Sequence, residues 1–330
     1  MKNIALRRNM MTKTEDIDVL TVCQLLRPDE EAEIAGRYRL TRADRANVPN
    51  EIASKARALI TSGLDGADAA LINRMPQLEI ITVNSVGYDL VDVPLATRRK
   101  IPITHTPNVL TDDVADLALG LMIMTARRLG QADRFVRSGN WLQRRFEVAE
   151  KVTGKTLGIL GMGRIGRAIA QRAEGFAMEI LYTDRVPVDV PYRYCPDLLT
   201  LARESHFLMV AASAGPESKH LIDAEILKAL GSKGILINIA RGSLVDEKAL
   251  IAALEAGTLG GAGLDVFEHE PRVPEALCQR DDVVLLPHIA SSTRQTRGAM
   301  GQLVIQNLDA WFSGKPLVTP VPESQSILSS

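Results

Sequence analysis

The chain has 330 residues, 46% hydrophobic, 24% charged and only 4% aromatic, a composition that suits two globular domains rather than one core. Its formal net charge of −1 supplies no basic field to gather a nucleic acid, and no run reaches the roughly 20 apolar residues that cross a bilayer. Three widely spaced cysteines, Cys23, Cys195 and Cys278, form no CxxC pair, which argues against a disulfide framework or a thiolate zinc site. The opening MKNIALRRNMMTKTED is basic but lacks an apolar stretch of signal-peptide length. The expected location is therefore the cytoplasm.

Along the chain, short apolar β-branched runs alternate with helical patterns. The early strands are VLTVCQLL (19–26), RALIT (57–61), LEIITVNSV (78–86) and IPITH (101–105), with helix-like DEEAEIAG and DAALINRM between them. A longer helical pattern covers 108–137, with Thr111 as its expected N-cap and Asp112 and Asp113 in its first turn, where carboxylates favour the positive end of the helix dipole. Later strands are KTLGILG (155–161), EILYTD (179–184), HFLMVAA (206–212), GILINIA (234–240), GAGLDVF (261–267) and VVLLP (283–287). A second long helix is expected over 292–314. Continuous rather than alternating hydrophobicity means that both sheet faces are covered, the mark of parallel strands with crossover helices. The fold class is therefore α/β, with doubly wound parallel sheets. A nucleotide-type domain is expected over 105–293, and a discontinuous domain from 1–104 with 294–330.

After the strand TLGIL comes Gly161-Met162-Gly163-Arg164-Ile165-Gly166, followed by a helical stretch. A bare GxGxxG is weak evidence, but here the strand and helix that the dinucleotide fingerprint requires are both present. Gly161 permits the tight turn, Gly163 lets the backbone approach a pyrophosphate, and Gly166 lets helix and strand pack closely. The N–H groups opening the helix then face the anion. Asp184 closes the next strand, 18 residues after Gly166. A carboxylate there accepts hydrogen bonds from the ribose and repels a 2′-phosphate, which favours NAD over NADP. Arg185 follows and could pair with that phosphate if Asp184 swung aside.

Three more strands end in residues that carry chemistry. GILINIARGSLVDE closes with Arg241, GAGLDVFEHEP with Glu270, and VVLLPHIASS with His288. In a doubly wound sheet, ligands sit outside the carboxyl ends of the strands. One edge thus collects a guanidinium, a carboxylate, an imidazole and a nicotinamide site. That set suits hydride exchange between a nicotinamide and a 2-oxo or 2-hydroxy acid. Arg241 offers a planar fork to the substrate carboxylate. His288 exchanges the proton as general acid/base, held by Glu270. No metal-ligand cluster at useful spacing appears, and the chemistry needs none.

The motifs NSVGYDLVD (84–92), TPNVLTDDVADLALGL (106–121), GILGMGRIGRAIA (158–170), INIARGSLVDEKAL (237–250), GGAGLDVFEHEP (260–271) and LPHIASST (286–293) span nearly the whole chain. With them the sequence resembles the D-isomer-specific 2-hydroxyacid dehydrogenases. It is most similar to the glyoxylate/hydroxypyruvate reductases, the plant-type hydroxyphenylpyruvate reductases in particular. The resemblance implies a Rossmann-type nucleotide domain and a flavodoxin-like substrate domain. It also implies reduction of glyoxylate or hydroxypyruvate with Arg241, Glu270 and His288 as the catalytic trio. Val86 and Gly87 become backbone donors to the substrate carboxylate. Cofactor contacts fall on Thr111, on Met162, Arg164 and Ile165 in the glycine loop, and on Ala212 and Ser213. Further ones fall on Ile239, Ala240, Asp265 and Ala290. Similar enzymes are homodimers joined through the long helix near Asn108, and in some Trp141 reaches the neighbouring subunit's site.

Two features depart from the family pattern. This subgroup often prefers NADPH and carries a neutral residue where Asp184 stands, so kinship keeps NADP open while the side chain favours NAD. The loop TSGLDGAD (61–68), which would contact the substrate's R group, also differs. Glu270 points away from formate dehydrogenases, which pair the histidine with glutamine. A phosphoglycerate dehydrogenase-like enzyme is an alternative, although the chain leaves no room after 314 for the regulatory domain many of those carry. A non-catalytic, corepressor-like protein that senses NAD(H) is the other alternative.

Overall fold

A computed structural model of the chain describes residues 16–328. Thr111–Ser292 forms one compact unit, and the described residues on either side of it form a second.

The second, discontinuous unit is built on a parallel sheet of β1 (Asp18–Thr21), β2 (Arg39–Arg42), β3 (Ala58–Thr61), β4 (Ile80–Val83) and β5 (Ile103–Thr104). The strand order is β2-β1-β3-β4-β5. Consecutive residues of these apolar runs point to opposite faces, and both faces are covered. Val19, Ile60 and Ile80 pack under Val304, Ile305 and Leu308 of the helix Arg294–Phe312. Leu20, Leu59 and Ile81 pack on Leu71, Ile72 and Ala96 of the crossover helices.

The sheet of the continuous unit contains β6 (Thr156–Leu160), β7 (Glu179–Thr183), β8 (Arg193–Tyr194), β9 (Phe207–Val210), β10 (Ile235–Asn238), β11 (Gly261–Leu264) and β12 (Val283–Leu285). All pairs are parallel, in the order β12-β11-β10-β9-β6-β7-β8. β6 has β7 on one side and β9 on the other, so the winding reverses there. One core joins Leu160, Leu208, Leu236 and Leu264 of the strands to Leu201, Leu227 and Leu250 of the helices. The two doubly wound parallel sheets expected from the sequence are both present.

Two strands escape the sequence pattern. β2 reads RLTR and β8 reads RY; both lie at a sheet edge, where little apolar surface is buried. The expected single helix over 108–137 is two helices, Thr111–Ala126 and Leu129–Arg137. Between them Arg128 takes φ +54°, a left-handed conformation through which no right-handed helix continues. Its guanidinium is held there by Gln131 and, at 2.8 Å, by Glu147. Thr111, expected as the cap, is the first residue of its helix. The later helix, expected over 292–314, spans Arg294–Phe312, with its N-cap Thr293 Oγ1 accepting from Thr296 N at 3.2 Å.

The core argument sets a stability expectation. Leu236 on β10 is 0% exposed, so Leu236→Ala should cost about 2–5 kcal/mol from lost transfer energy and residual cavity. Urea unfolding should show a lower midpoint at unchanged slope.

Candidate active site

Parallel strands in register end along a common edge, and their hydrogen-bond ladder continues past their last residues. Gly161 N donates to Thr183 O at 2.9 Å, Asp265 N to Asn238 O at 3.0 Å, and Leu286 N to Leu264 O at 2.8 Å. The loops after β6, β7, β9, β10, β11 and β12 are therefore laid side by side.

At the switch between β6 and β9, Gly161 takes φ +96°, which favours glycine. A Cβ there would lie 2.7 Å from Ala212 Cα, so the loop after β6 rests directly on Ala212 after β9. A Cβ on Gly166 would lie 2.1 Å from Gly161 O, which confirms the close helix–strand packing that the motif implies. Gly163 is the N-cap of the helix Arg164–Glu174 and has no side chain to satisfy its first-turn N–H groups. A Cβ at Gly163 would meet nothing within 4 Å. An open helix start with uncapped N–H donors fits the pyrophosphate of a dinucleotide. Arg164 and Ile165 open this helix, and Met162 before it is buried.

Asp184, just past β7, accepts from Met162 N at 2.7 Å and from Arg185 N at 2.7 Å. Its carboxylate therefore faces the glycine loop. Arg185 itself is exposed. Ala212 and Ser213 follow β9, while Ile239 and Ala240 follow β10. Thr111 opens the helix Thr111–Ala126 of the same unit. Val86 and Gly87 belong to the other unit, in the loop after β4, where Val86 O accepts from His105 Nδ1 at 2.9 Å. Gly87 O accepts from Ser85 Oγ at 2.6 Å.

The loops after β10, β11 and β12 carry Arg241, Glu270 and His288. His288 Nδ1 lies 2.8 Å from Glu270 Oε2. The other oxygen, Glu270 Oε1, accepts from Phe267 N at 3.0 Å. Burial pushes the Glu270 carboxyl up, but the hydrogen bond and charge of His288, the Phe267 N–H and the charge of Arg241 outweigh it and hold the carboxyl below its ordinary range. An ionised carboxylate only accepts, so Nδ1 carries the proton of this contact. Arg241 Nη1 donates to Ala240 O at 2.9 Å. Its turn is pressed against the Glu270 loop, since a Cβ on the adjacent Gly242 would lie 1.8 Å from Phe267 C.

His288 takes φ +53°, uncommon for a residue with a side chain. The cause is visible. Its N–H donates to Asp265 O at 2.8 Å. Ile289 N and Ala290 N donate to Asp265 Oδ1 and Oδ2 at 2.8 and 2.9 Å. Asp265 is 0% exposed. Burial pushes its carboxyl above the usual range and the Glu270 charge adds to the rise, while the two N–H donors and the His288 charge oppose it. Asp265 and Ala290 thus share one bonded cluster. A carboxylate ending the apolar run GAGL was the signal for this anchoring role. A second imidazole–carboxylate pair, His220 with Glu268 at 2.8 Å, carried no sequence signal, because its partners meet only through folding.

The D-isomer specific 2-hydroxyacid dehydrogenase NAD-binding domain matches residues 119–290 of this chain. The chain is 47% identical to glyoxylate/hydroxypyruvate reductase A of Arabidopsis thaliana, over 93% of this chain and 99% of that one. The chain belongs to this family. Hydroxyphenylpyruvate reductase of Plectranthus scutellarioides is 46% identical, over 93% of this chain and 99% of that one. Among solved structures, the NADPH-dependent glyoxylate/hydroxypyruvate reductase of Sinorhizobium meliloti, in complex with NADP and malonate, matches with a TM-score of 0.88 and 41% identity. That match covers 93% of this chain and 97% of the other. This 2-hydroxyacid dehydrogenase is thus an oxidoreductase of the glyoxylate/hydroxypyruvate reductase subgroup, and its cofactor is NAD or NADP. Among the described residues, no helix is long and apolar enough to cross a membrane.

The lowered Glu270 carboxyl has a pH consequence. A group depressed on folding contributes stability that is full above its unfolded value, about 4.3, and is lost as pH falls through the folded value. The difference in unfolding free energy between the wild type and Glu270→Gln should therefore shrink below about pH 5. Urea titrations across pH 7 to 3 measure it, and a pH-independent difference would contradict the pairing.

Proposed function

We propose that the chain reduces glyoxylate or hydroxypyruvate to the 2-hydroxy acid, with Arg241, Glu270 and His288 as its working residues. The observation that carries this reading is the 2.8 Å contact of His288 Nδ1 with an ionised Glu270, which leaves Nε2 as the site of proton exchange. When bound, the reduced nicotinamide supplies hydride to the carbonyl carbon. Arg241 binds the substrate carboxylate through its fork and polarises the carbonyl oxygen. His288 Nε2 gives its proton to that oxygen as the C=O becomes CH–OH, and in the reverse direction takes it back. Glu270 holds the ring in position by accepting from its Nδ1–H. Val86 and Gly87, in the loop after β4, would supply backbone donors to the substrate carboxylate.

In this reading the unit Thr111–Ser292 holds the cofactor and the discontinuous unit supplies the substrate domain. Thr111, Gly161, Met162, Gly163, Arg164, Ile165, Asp184, Ala212, Ser213, Ile239, Ala240, Asp265 and Ala290 surround the cofactor. Asp184, held by Met162 N and Arg185 N, presents a negative charge that disfavours a 2′-phosphate, so NADH is the favoured reductant. The assembly is a homodimer. Its support is an exposed apolar stretch in the dimerisation region, with Leu129 43%, Val136 52%, Trp141 67%, Leu142 93% and Val148 97% exposed. Free cysteines, two of them buried, support a cytoplasmic location.

A panel of 2-oxo acids with NADH and NADPH, read as loss of nicotinamide absorbance, tests the reading. Turnover is expected with glyoxylate or hydroxypyruvate, and none with any acid and either reductant would end it. General acid–base participation contributes about 10²–10⁴-fold. Replacing the ring in His288→Ala should therefore lower kcat by about that factor with cofactor affinity preserved, and a rate near wild type would remove His288 from the mechanism. Asp184→Ser should raise the NADPH/NADH ratio of kcat/KM; an unchanged ratio would assign the preference to another residue.

A further inference from the structure

The reaction as derived uses one imidazole–carboxylate pair, but the same unit holds a second. His220 Nε2 lies 2.8 Å from Glu268 Oε1, and Glu268 stands two residues before Glu270. The Glu268 side chain is only 15% exposed. Lys219 Nζ approaches the same oxygen at 3.5 Å from a side chain 61% exposed, so the imidazole is the sheltered partner.

The pair lies across a seam between two loops. His220 N donates to Ser243 O at 2.8 Å, and Ile222 N to Leu244 O at 2.9 Å. Ser243 and Leu244 belong to the turn Gly242–Leu244, which begins directly after Arg241. Glu268 N donates to Glu247 Oε1 at 2.8 Å, and Glu247 opens the helix that follows that turn. His220 therefore grips the Arg241 turn by its main chain and the Glu270 loop by its ring. Its φ of +56° is retained only where surrounding contacts over-determine it.

Three carboxylates, Glu247, Glu268 and Glu270, gather at this seam. Burial raises the Glu247 carboxyl, and the charges of Glu268 and Glu270 push it further, against the Glu268 N–H and His269. At Glu268 burial also acts upward, but the His220 hydrogen bond and charge, with Lys219 and His269, hold the carboxyl below its usual range. Without the imidazole, the Glu268 side chain would lose the partner that offsets its burial beside two other carboxylates.

We propose that His220 is a positioning residue for the reaction: through Glu268 it locks the Glu270 loop to the Arg241 turn and holds guanidinium and carboxylate in register. The inference rests on the proposed roles of Arg241 and Glu270. A misplacement of about 1 Å away from the reacting atoms costs on the order of 10²-fold in rate. Loosening the lock acts on turnover more than on cofactor binding, because it leaves the glycine loop untouched.

The test compares His220→Ala, His220→Gln, Glu268→Gln and Glu270→Gln with the wild type. It measures kcat and KM for glyoxylate, NADH affinity by fluorescence, and melting temperature. His220→Ala should lower kcat by on the order of 10²-fold with unchanged NADH affinity. His220→Gln and Glu268→Gln, which keep a donor facing an acceptor, should recover most of that loss whether or not the alanine variant folds. Equal loss in His220→Gln and His220→Ala, tracking melting temperature, would overturn the lock. A wild-type kcat in His220→Ala with a lowered one in Glu270→Gln would overturn it alone. A wild-type kcat in Glu270→Gln would overturn the catalytic reading and the lock together.

Discussion

The Asp265 carboxylate, with three successive amides bound to its residue, is the constraint on which the candidate site depends. The chain leaves β12 without regular structure, yet His288, Ile289 and Ala290 all donate to Asp265. Each hydrogen bond to a charged group contributes about 1.5–3 kcal/mol. That sum exceeds the 1–3 kcal/mol or so that a left-handed, non-glycine residue costs. The histidine ring is therefore placed by its backbone before Glu270 touches it. Asp265 in turn is fixed by its own N–H, which continues the ladder onto Asn238.

Two carboxylates at one sheet edge are driven in opposite directions. Asp265 is raised by burial against two amide donors, whereas the burial of Glu270 is outweighed by an imidazole and a nearby guanidinium. The difference follows from what each carboxylate faces. Asp265 is bonded to main chain and shapes the loop; Glu270 is bonded to an imidazole and fixes which ring nitrogen donates.

Much of this was legible in the sequence, for a physical reason. Central parallel strands are buried on both faces and read as unbroken apolar runs, as TLGIL, FLMV and ILIN do. Their carboxyl ends, with that of the apolar edge strand VVL, then mark where Gly161, Arg241 and His288 fall. The two polar edge strands give no such signal, and RLTR and RY passed unseen. The break at Arg128 was hidden because the apolar periodicity runs on through it, and a single backbone angle decides the outcome. The His220–Glu268 pair was illegible for another reason: its partners are 48 residues apart, and only folding makes them neighbours.

The bond between Met162 N and Asp184 narrows how such an enzyme can change coenzyme over evolutionary time. On the proposed reading, the side chain that would discriminate against a 2′-phosphate also satisfies an amide of the glycine turn. A hydrophobic replacement would remove the discrimination and orphan that amide in the same step. The accessible route runs through short oxygen-bearing side chains such as serine, threonine or asparagine, which drop the charge and still accept the proton of the turn.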